Sequence, residues 1–458
     1  MSEGPDLVVA GAGGGLVAAL RGAQLGLDVL VVECSEHFAH GNNTAMSTAM
    51  VPGAGTRWQA DAGIDDSPDL FLADIVAKTK GQANEALARS LATVSPRLVT
   101  WMADDLGLPM SLVTDFPYPG HSRLRCHTVP GRSGRTMLAG LIDATRAQDS
   151  VVMLGPARLT DVVVGGDGVR AVTVTSPDGR GETVPTDAVL LATNGFGADA
   201  DLVAKHIPEI AGAVYHGSGE STGDALRVGT AHGADTAFLD AYQGHAALAI
   251  PAATLAGWAT VMHGGFLVGE DGRRFGDETV GYSEYAREVL AHANGRALLV
   301  LDQRIHDACL AFDDFRDTVE SGALRWADTP EGLAAAFAVD PAGLAKTVTT
   351  AARLASGSGT DELGRVSWEA ALEPPYAGIR VSPALFHTQG GLRVDGSARV
   401  QRADRSPITG MYASGGAAMG ISGHGAGGYL AGNGLLPALG LALLAAEDVA
   451  ARRGRDDS

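Results

Sequence analysis

The chain is poor in cysteine, the residue that builds disulfide frameworks and many metal centres. Its 458 residues include three cysteines, Cys34, Cys126 and Cys309, which lie far apart and show no C-x-x-C or C-x-x-C-H spacing. Zinc, c-type haem and a redox dithiol are therefore unsupported, we expect no metal site, and a reducing cytoplasm is the simplest location. A chain of this length can bury a large core over roughly two or three domains, so its fold needs no disulfide or metal ion for stability.

Basic residues and long apolar runs are also scarce. Lys and Arg number 34 against 53 Asp and Glu, a formal net charge of −19, which disfavours nucleic acid because nucleic-acid binding needs a clustered basic surface. The apolar run Leu435 to Ala446 is too short to span a bilayer and contains Pro437, so we expect no transmembrane segment. The N-terminal apolar run follows no basic stretch, which favours a core strand and helix over a signal peptide.

The N-terminal region carries a dinucleotide-binding pattern. An apolar strand at 6–10 runs into the turn G-A-G-G-G, an apolar-periodic helix follows, and a second strand ends at Glu33. Such a turn lets a pyrophosphate approach the helix N-terminus, and the acidic residue at the end of the second strand, Glu33, accepts hydrogen bonds from the ribose hydroxyls. One position departs from the G-x-G-x-x-G frame. The glycines predicted to line this turn are Gly11, Gly13, Gly14 and Gly15.

The rest of the chain indicates a two-part α/β protein. Apolar spacing predicts two helices within 67–107, and strands separated by Gly-Asp-Gly and Pro-Asp-Gly turns predict a β-rich excursion between 151 and 191. Residues 240–386 alternate helical segments with turns. We therefore predict a Rossmann-like dinucleotide-binding domain, with a parallel sheet plus the β excursion, over 1–239 and 387–458. The segment 240–386 is predicted to be an inserted α+β cap domain.

The C-terminal region is dense in glycine. It reads FHTQGGLRVDG and then GMYASGGAAMGISGHGAGGYLAGNG. Glycine-rich backbone exposes N–H groups and allows close approach to a flat ligand, which suits the edge of a flavin. The side chains between these glycines are then expected to choose the substrate.

Taken together, the motifs carry a family resemblance. They are GAGGG with Glu33, GNNTAMS, LLATNGFG, STGDAL, DGRRFGDE, HTQGGL and GMYASGG. Over nearly its whole length the chain resembles the fumarate reductase and succinate dehydrogenase flavoprotein family, in the branch that includes 3-ketosteroid Δ1-dehydrogenases and related desaturases. The resemblance implies an FAD-binding domain and a mobile cap. Beyond the turn glycines and Glu33, the residues it assigns to FAD are Asn43, Thr44, Ser47, Thr193, Asn194, Gly195, Asp224, His387, Gly391, Gly415, Gly416, Gly434 and Leu435.

Departures from the family pattern narrow the expected activity. Members that attach FAD covalently carry a histidine just before the loop threonine, whereas Asn43 precedes Thr44 here, so we expect non-covalent FAD. Fumarate-reducing members place a proton-donating arginine where this chain has Tyr282, and they clamp carboxylates with cations where it has Phe386 and Tyr429. A dicarboxylate left unpaired would cost several kcal/mol. The pattern favours an uncharged carbonyl.

The ketosteroid dehydrogenase branch resembles this chain in its tyrosines. By that resemblance Tyr282 would take the acidic α-proton, the Tyr429 hydroxyl and the Gly432 N–H would hold the enolising oxygen, and flavin N5 would accept the β-hydride. Because an isolated phenol has a pKa of about 10, ionising it at pH 7 costs about 4 kcal/mol, so a neighbour must lower that pKa. Tyr118 is a candidate supporting hydroxyl, and His245 is the family substrate histidine that is retained.

Other interpretations stay open. The flavin could instead reduce an activated double bond, or the chain could be a non-catalytic flavoprotein subunit. Each of these tyrosines, and His245, could be a core residue, with Phe386 a pocket wall. The substrate would be a small-molecule ketone, and the electron acceptor an external quinone, O2 or carrier. The basic loop could steer an acidic substrate, lie at a solvated surface or contact the flavin phosphates, and its residues are Arg123, Arg125, Arg132 and Arg135. Arg273 and Arg274 are expected to hold the cap together, and His424 to form a hydrogen bond in the glycine loop or to act in catalysis.

Overall fold

The computed structural model of this protein describes residues 4–115 and 117–456. In that part of the chain the strands are β1 Leu7–Ala10, β2 Val29–Val32, β3 Val51–Pro52, β4 Ser111–Leu112, β5 Cys126–Thr128, β6 Val151–Leu154, β7 Arg158–Gly165, β8 Gly168–Thr175, β9 Gly181–Pro185, β10 Val189–Leu191, β11 Val214–Tyr215, β12 Thr236–Ala237, β13 Tyr242–Ala249, β14 Thr254–Leu255, β15 Phe266–Val268, β16 Ala297–Asp302, β17 Leu324–Ala327, β18 Tyr376–Thr388, β19 Gly391–Leu392, β20 Arg399–Gln401 and β21 Pro407–Ala413. The α-helices there are α1 Gly15–Gln24, α2 Phe38–Gly41, α3 Arg57–Asp61, α4 Pro68–Lys78, α5 Glu85–Asp104, α6 Gly134–Arg146, α7 Ala200–His206, α8 Asp224–Ala231, α9 Ala259–Met262, α10 Tyr282–His292, α11 Gln303–Cys309, α12 Asp313–Glu320, α13 Pro330–Phe337, α14 Pro341–Ala355 and α15 Leu435–Asp456.

These elements form two compact units. The first unit contains residues up to Ile207, the segment Gly217–Tyr242 and the chain from His387 onward. The second unit contains Pro208–His216 and Gln243–Phe386. Pro208–His216 lies within the range 1–239 predicted for the first domain. In the structure β11, which lies in this segment, pairs in parallel with β18 of the second unit.

A parallel sheet forms the centre of the first unit. Its strand order is β20-β21-β10-β1-β2-β6, and every pair is parallel except the edge pair of β20 with β21. The register places Val8 beside Leu30 on one side and Val189 on the other. All four residues of β1 are buried, as expected for a parallel strand covered on both faces.

Helices and a second sheet complete this unit. Helix α1 packs against α15, and the antiparallel sheet β7-β8-β9 is the predicted β excursion. The two helices predicted within 67–107 are α4 and α5, which begin after the capping residues Ser67 and Asn84. The predicted α/β class with a Rossmann-like domain is confirmed.

The second unit is built on a mixed sheet. Its main strand order is β14-β13-β18-β16-β15, and β11 and β17 also pair with β18. Strand β16 is buried along its whole length and pairs antiparallel with β15 and β18. The cap helices predicted from the apolar pattern are α10, α13 and α14. In neither unit does a described helix combine the length and apolarity needed to cross a membrane.

Candidate active site

The glycine turn after β1 is shaped for a phosphate group. Gly11 has φ +106°, and a Cβ built there would lie 2.4 Å from the Ala192 carbonyl oxygen, so only glycine fits. Helix α1 then begins at Gly15, and no side chain caps it at Gly14. The Leu16 and Val17 N–H groups donate to the Gly13 and Gly14 carbonyls, so an anionic ligand would meet the positive end of the helix dipole and the N–H groups of the preceding glycines.

Glu33 lies beside this turn at the end of β2. One carboxylate oxygen accepts a hydrogen bond from the Ala12 N–H at 2.8 Å, and the other accepts one from the Ser35 N–H at 2.8 Å. The side chain is buried. A carboxylate has about four lone-pair sites, so Glu33 keeps acceptor capacity for ribose hydroxyls.

The loop that carries Asn43, Thr44 and Ser47 is fixed by its own polar groups. The Asn43 side-chain oxygen accepts a hydrogen bond from the Ser218 N–H at 2.7 Å. The Ser47 hydroxyl donates to the Thr44 carbonyl at 2.7 Å. Both contacts lie in the first unit and hold the loop that precedes β3.

The segment after β10 is tied to the start of α8. The Thr193 hydroxyl accepts a hydrogen bond from the Ala225 N–H at 3.3 Å, and the Asn194 amide donates to Ser221 at 2.9 Å. Asp224 forms ion pairs with Arg158 and Arg227. Its carboxylate is therefore engaged with two guanidinium groups, and its predicted role toward FAD stays a prediction.

Several of the glycines predicted to contact FAD approach other parts of the chain closely. A Cβ at Gly195 would lie 1.9 Å from the Thr388 hydroxyl, and one at Gly434 would lie 2.8 Å from His387 Nε2. Gly391 and Gly416 likewise leave no room for a side chain against Ala417 and Asn194, and a Cβ at Gly415 would make a tight contact of 3.2 Å with the Ala438 Cβ. Leu435 is the first residue of α15.

Several buried polar atoms of the first unit have no hydrogen-bond partner among the described residues, and sequence reasoning did not find them. They adjoin the predicted cofactor segments in the sequence, and they are Asn42 Nδ2, Gln389 Nε2 and Oε1, Ser414 Oγ and Asn433 Oδ1. Buried donors and acceptors are normally paired. A ligand with hydroxyls, phosphates and a pyrimidine ring would satisfy such a set, so the residues of this unit fit FAD.

A second group of predicted residues lies around His387. Its ring packs edge-to-face against Tyr429, with centroids 6.2 Å apart. Burial lowers the pKa of His387 to about 4, so the ring is neutral at pH 7. Burial also raises the pKa of the Tyr118 phenol well above its usual range, which keeps this hydroxyl protonated and able to donate.

Two arginines of the basic loop near Tyr118 are paired with carboxylates. Arg125 is 1% exposed and forms ion pairs with Asp66 and Asp74. Arg132 pairs with Asp115 at 2.6 Å. Arg125 is thus a buried structural cation and is not placed to steer an acidic substrate at the surface.

In the second unit, three predicted residues come together as an aromatic cluster, defined as Tyr282, His245, Phe386 and Trp258. The His245 ring stacks on Tyr282 at 4.9 Å and on Phe386 at 5.2 Å between centroids. Trp258, which sequence reasoning missed because an isolated tryptophan carries no spacing signal, packs edge-on against both His245 and Tyr282. The cluster brings the predicted base together with both predicted substrate-pocket residues.

His245 is a neutral hydrogen-bond donor. Its Nδ1 accepts a hydrogen bond from the Ala247 N–H at 3.1 Å, so the proton of the neutral ring lies on Nε2. Burial, together with a smaller effect of the nearby His216, lowers the pKa of His245 to about 3. The ring therefore carries no charge near pH 7.

Tyr282 is the first residue of α10. No side chain caps this helix at Gly281, and the Ser283 hydroxyl accepts a hydrogen bond from the Gly244 N–H at 3.0 Å. This bond ties the start of α10 to β13, the strand that carries His245. The positive end of a helix dipole stabilises negative charge on a nearby group.

Buried ion pairs hold the second unit together behind this helix. Arg274 pairs with Glu278 and Asp361, and Arg365 also approaches Glu278. Glu278 is fully buried. Arg274 therefore has the stabilising place in the cap that its position in the G-R-R-F motif suggested.

A family model described as FAD binding domain matches residues 6–435. The chain belongs to this family and is an FAD-dependent oxidoreductase. The match confirms the resemblance predicted from the motifs. A relative, the NADH:fumarate oxidoreductase of Klebsiella pneumoniae (strain 342), is 27% identical over 423 residues, which are 91% of this chain and 45% of that protein. The chain thus spans less than half of that relative's length.

Solved structures share the fold. An open form of a flavocytochrome c3 fumarate reductase superposes with a TM-score of 0.82 at 24% identity, over 98% of this chain and 78% of the other. A 3-ketosteroid Δ1-dehydrogenase from Sterolibacterium denitrificans, in complex with 1,4-androstadiene-3,17-dione, superposes with a TM-score of 0.78 at 22% identity. The match covers 98% of this chain and 99% of the other. The TM-scores establish a common fold. At identities this low the substrate has to be inferred from the residues of the site.

Proposed function

We propose that this protein is an FAD-dependent dehydrogenase that introduces a C=C bond next to the carbonyl of a ketone, most simply a cyclic one. The aromatic cluster of the second unit carries the proposal. Its members are a phenol, a phenyl ring, an indole and an imidazole that burial keeps neutral, with a pKa of about 3. A neutral surface suits an uncharged carbonyl compound, whereas a dicarboxylate would require cations.

Tyr282 is the proposed base for the α-proton. Its position at the start of α10 supports this role because a helix N-terminus favours the phenolate by about 0.3–1 kcal/mol. This is a fraction of the roughly 4 kcal/mol needed to ionise an ordinary phenol at pH 7. Glu284 in the same turn acts in the opposite direction. We therefore expect the rate to rise with pH as the Tyr282 phenolate becomes populated.

The enolising oxygen is proposed to be held by the Tyr429 hydroxyl and the Gly432 N–H. Two donors directed at a developing oxyanion are a common device for stabilising an enolate. Tyr118, whose phenol burial keeps protonated, is the proposed supporting hydroxyl. Bound FAD would supply the acceptor for the β-hydride at its N5 position, and an external acceptor would reoxidise it.

The test is turnover of cyclic 3-oxo and 4-oxo compounds with an artificial electron acceptor. We expect Tyr282→Phe to lower kcat about 10²–10⁴-fold, the usual cost of losing an acid–base group. Tyr285→Phe is the matched control, since it removes one hydroxyl from the same helix and the Tyr285 hydroxyl has no hydrogen-bond partner within the described chain. Equal activity of the two variants would sink the base assignment.

A second candidate is the reverse reaction, reduction of an activated double bond. Similarity to the Klebsiella relative, an NADH:fumarate oxidoreductase, supports this direction. The two directions differ in anaerobic stopped-flow experiments. The dehydrogenase proposal expects a cyclic ketone to bleach the oxidised flavin rapidly, while the reductase alternative expects an enone, or fumarate, to reoxidise the dithionite-reduced flavin much faster.

A further inference from the structure

The proposed oxygen-binding N–H belongs to a turn with an unusual backbone. The Asn433 N–H donates to the Leu430 carbonyl at 3.0 Å, which makes residues 430–433 a β-turn. Gly432, the third residue, has φ +87°, the signature of a type II turn. Type I and type II turns differ by a flip of their central peptide, here the bond between Ala431 and Gly432.

Two side chains donate to the carbonyl of this central peptide. His121 Nε2 lies 3.0 Å from the Ala431 oxygen, and the Cys126 thiol lies 3.8 Å from it. The described cis peptide bonds all precede prolines, so the 431–432 peptide is trans and its N–H points away from its C=O. A flip of this peptide would break both contacts and turn the Ala431 oxygen toward the side that the Gly432 N–H now faces.

The orientation of His121 is itself fixed. Arg125 Nη1 lies 3.3 Å from His121 Nδ1, and since a guanidinium can only donate, Nδ1 accepts and Nε2 carries the proton. Asp66 and Asp74 pair with this arginine, which is 1% exposed. Burial, reinforced by Arg125, lowers the pKa of His121 to about 4, in agreement with the neutral tautomer.

We propose that His121, oriented by Arg125, is a positioning residue that locks the Ala431–Gly432 peptide so that its N–H is presented to the substrate oxygen. The inference rests on the role proposed above for Gly432. Donation to the Ala431 oxygen also polarises the same amide and makes its N–H a stronger donor. Cys126 is the weaker second support of that carbonyl.

The chain offers a matched pair of buried histidines for the test. His127 is also buried, and it bonds to the Thr56 hydroxyl and the Arg125 carbonyl, each at 2.9 Å, rather than to Ala431. We would compare His121→Leu with His127→Leu, and His121→Gln with His127→Gln. Glutamine can donate one hydrogen bond and accept another, so His121→Gln should rescue the lock.

The readouts are kcat and KM on the ketone, together with titrations of the oxidised FAD protein with phenols of different acidity, which mimic an enolate. Loss of an oxyanion donor costs about 10²–10³-fold, so loss of its positioning should lower kcat about tenfold with little change in KM. His121→Leu should also weaken the dependence of phenol affinity on phenol pKa. Cys126→Ala, a milder change that tests the same carbonyl, should act in the same direction more weakly.

A purely structural role predicts that the two leucine variants lose thermal stability alike and keep the wild-type kcat and phenol dependence, which would overturn the proposal. Absence of phenol binding by the wild-type protein would count against the oxygen site itself. Failure of the desaturase proposal is distinguishable, because it would appear as no flavin reduction by any ketone while the phenol titrations still separate His121→Leu from His127→Leu.

Discussion

The imidazole of His245 stacks on the phenol of Tyr282, with centroids 4.9 Å apart and 25° between the ring planes. The Ala247 N–H occupies Nδ1 of this imidazole, so its Nε2–H is the polar group left to meet a ligand. His245, the histidine retained from the family's carboxylate-binding pattern, is therefore a neutral hydrogen-bond donor. The rings that stack on it, Tyr282 and Phe386, belong to side chains without a formal charge.

His245→Phe should keep the stack and remove the donor. We expect kcat/KM on a cyclic ketone to fall at least about tenfold, the scale of losing one hydrogen bond to the substrate. The Ala247 N–H also loses its acceptor, at a cost of about 1–3 kcal/mol in unfolding free energy. Steady-state kinetics and urea unfolding measure the two effects separately. Unchanged kcat/KM would assign His245 to packing alone.

The buried histidines of the first unit predict a loss of stability in acid. Burial lowers the folded-state pKa of His121 and of His127 to about 4 in each case, below the usual value of about 6.5. The unfolded chain therefore binds these protons first as the pH falls. Their contribution to stability is complete above about pH 6.5 and is lost between there and about pH 4, by about 1.4 kcal/mol per pH unit for each histidine.

The measurement is urea unfolding between about pH 7 and about pH 5. His127→Asn should reduce the pH slope of the unfolding free energy by about 1.4 kcal/mol per pH unit. The same change at the exposed His37 should leave the slope unaltered. Carboxylates contribute to the slope in all three proteins, so only the difference between them is diagnostic. Equal slopes would contradict the neutral state of His127.

Glu278 is expected to stabilise the second unit through its buried ion pairs. Its carboxylate accepts from Arg274 at 2.7 and 2.8 Å, and Arg274 and Arg365 lie over the Trp368 ring. Glu278→Gln leaves buried guanidinium charge uncompensated, so we expect a loss of about 3–5 kcal/mol. Trp368 fluorescence should report the change. The exposed Glu362 supplies the control, Glu362→Gln, and equal effects of the two variants would refute the prediction.

The fold was predictable where the chain is locally consistent. Strand β1, the glycine turn and helix α1 combine an apolar run buried on both faces with a turn that only glycine at position 11 can make, and each feature favours the same βαβ unit. The helices α4 and α5 were predictable because Ser67 and Asn84 cap apolar-periodic segments. The segment Pro208–His216 groups with the second unit because its short strand β11 pairs with β18, far along the sequence, and no local signal predicts that pairing.

The site was less predictable because its contacts are distant in sequence. His121 meets the Ala431 carbonyl across 310 residues, and Trp258 reaches Tyr282 without any periodic signal. Motif spacing names residue types and cannot show that Arg125 is buried against Asp66 and Asp74. The glycines were found because close backbone approach restricts the residue type. Gln389, with both amide atoms unpartnered in the described structure, stands inside the HTQGGL motif, but the pattern assigns no role to that position.

Glu33 is expected to contribute to FAD affinity. Its carboxylate is held by the Ala12 and Ser35 N–H groups beside the glycine turn, and its remaining lone pairs are the proposed acceptors for the ribose diol. Hydrogen bonds to a charged group are worth about 1.5–3 kcal/mol, so Glu33→Gln should weaken FAD binding about 10–100-fold. Flavin fluorescence during titration of the apoprotein gives the dissociation constant.

The matched control is Glu36→Gln, three residues further on and exposed, which should bind FAD like the wild type. Because a glutamine amide is acceptor on one side only, Glu33→Gln also disturbs the turn, and the melting temperature of the apoprotein measures that part alone. If the apoprotein melts normally while FAD affinity falls, the carboxylate acts on the cofactor. If affinity is unchanged, Glu33 serves only to join Ala12 to Ser35, and the ribose must be recognised elsewhere in the first unit.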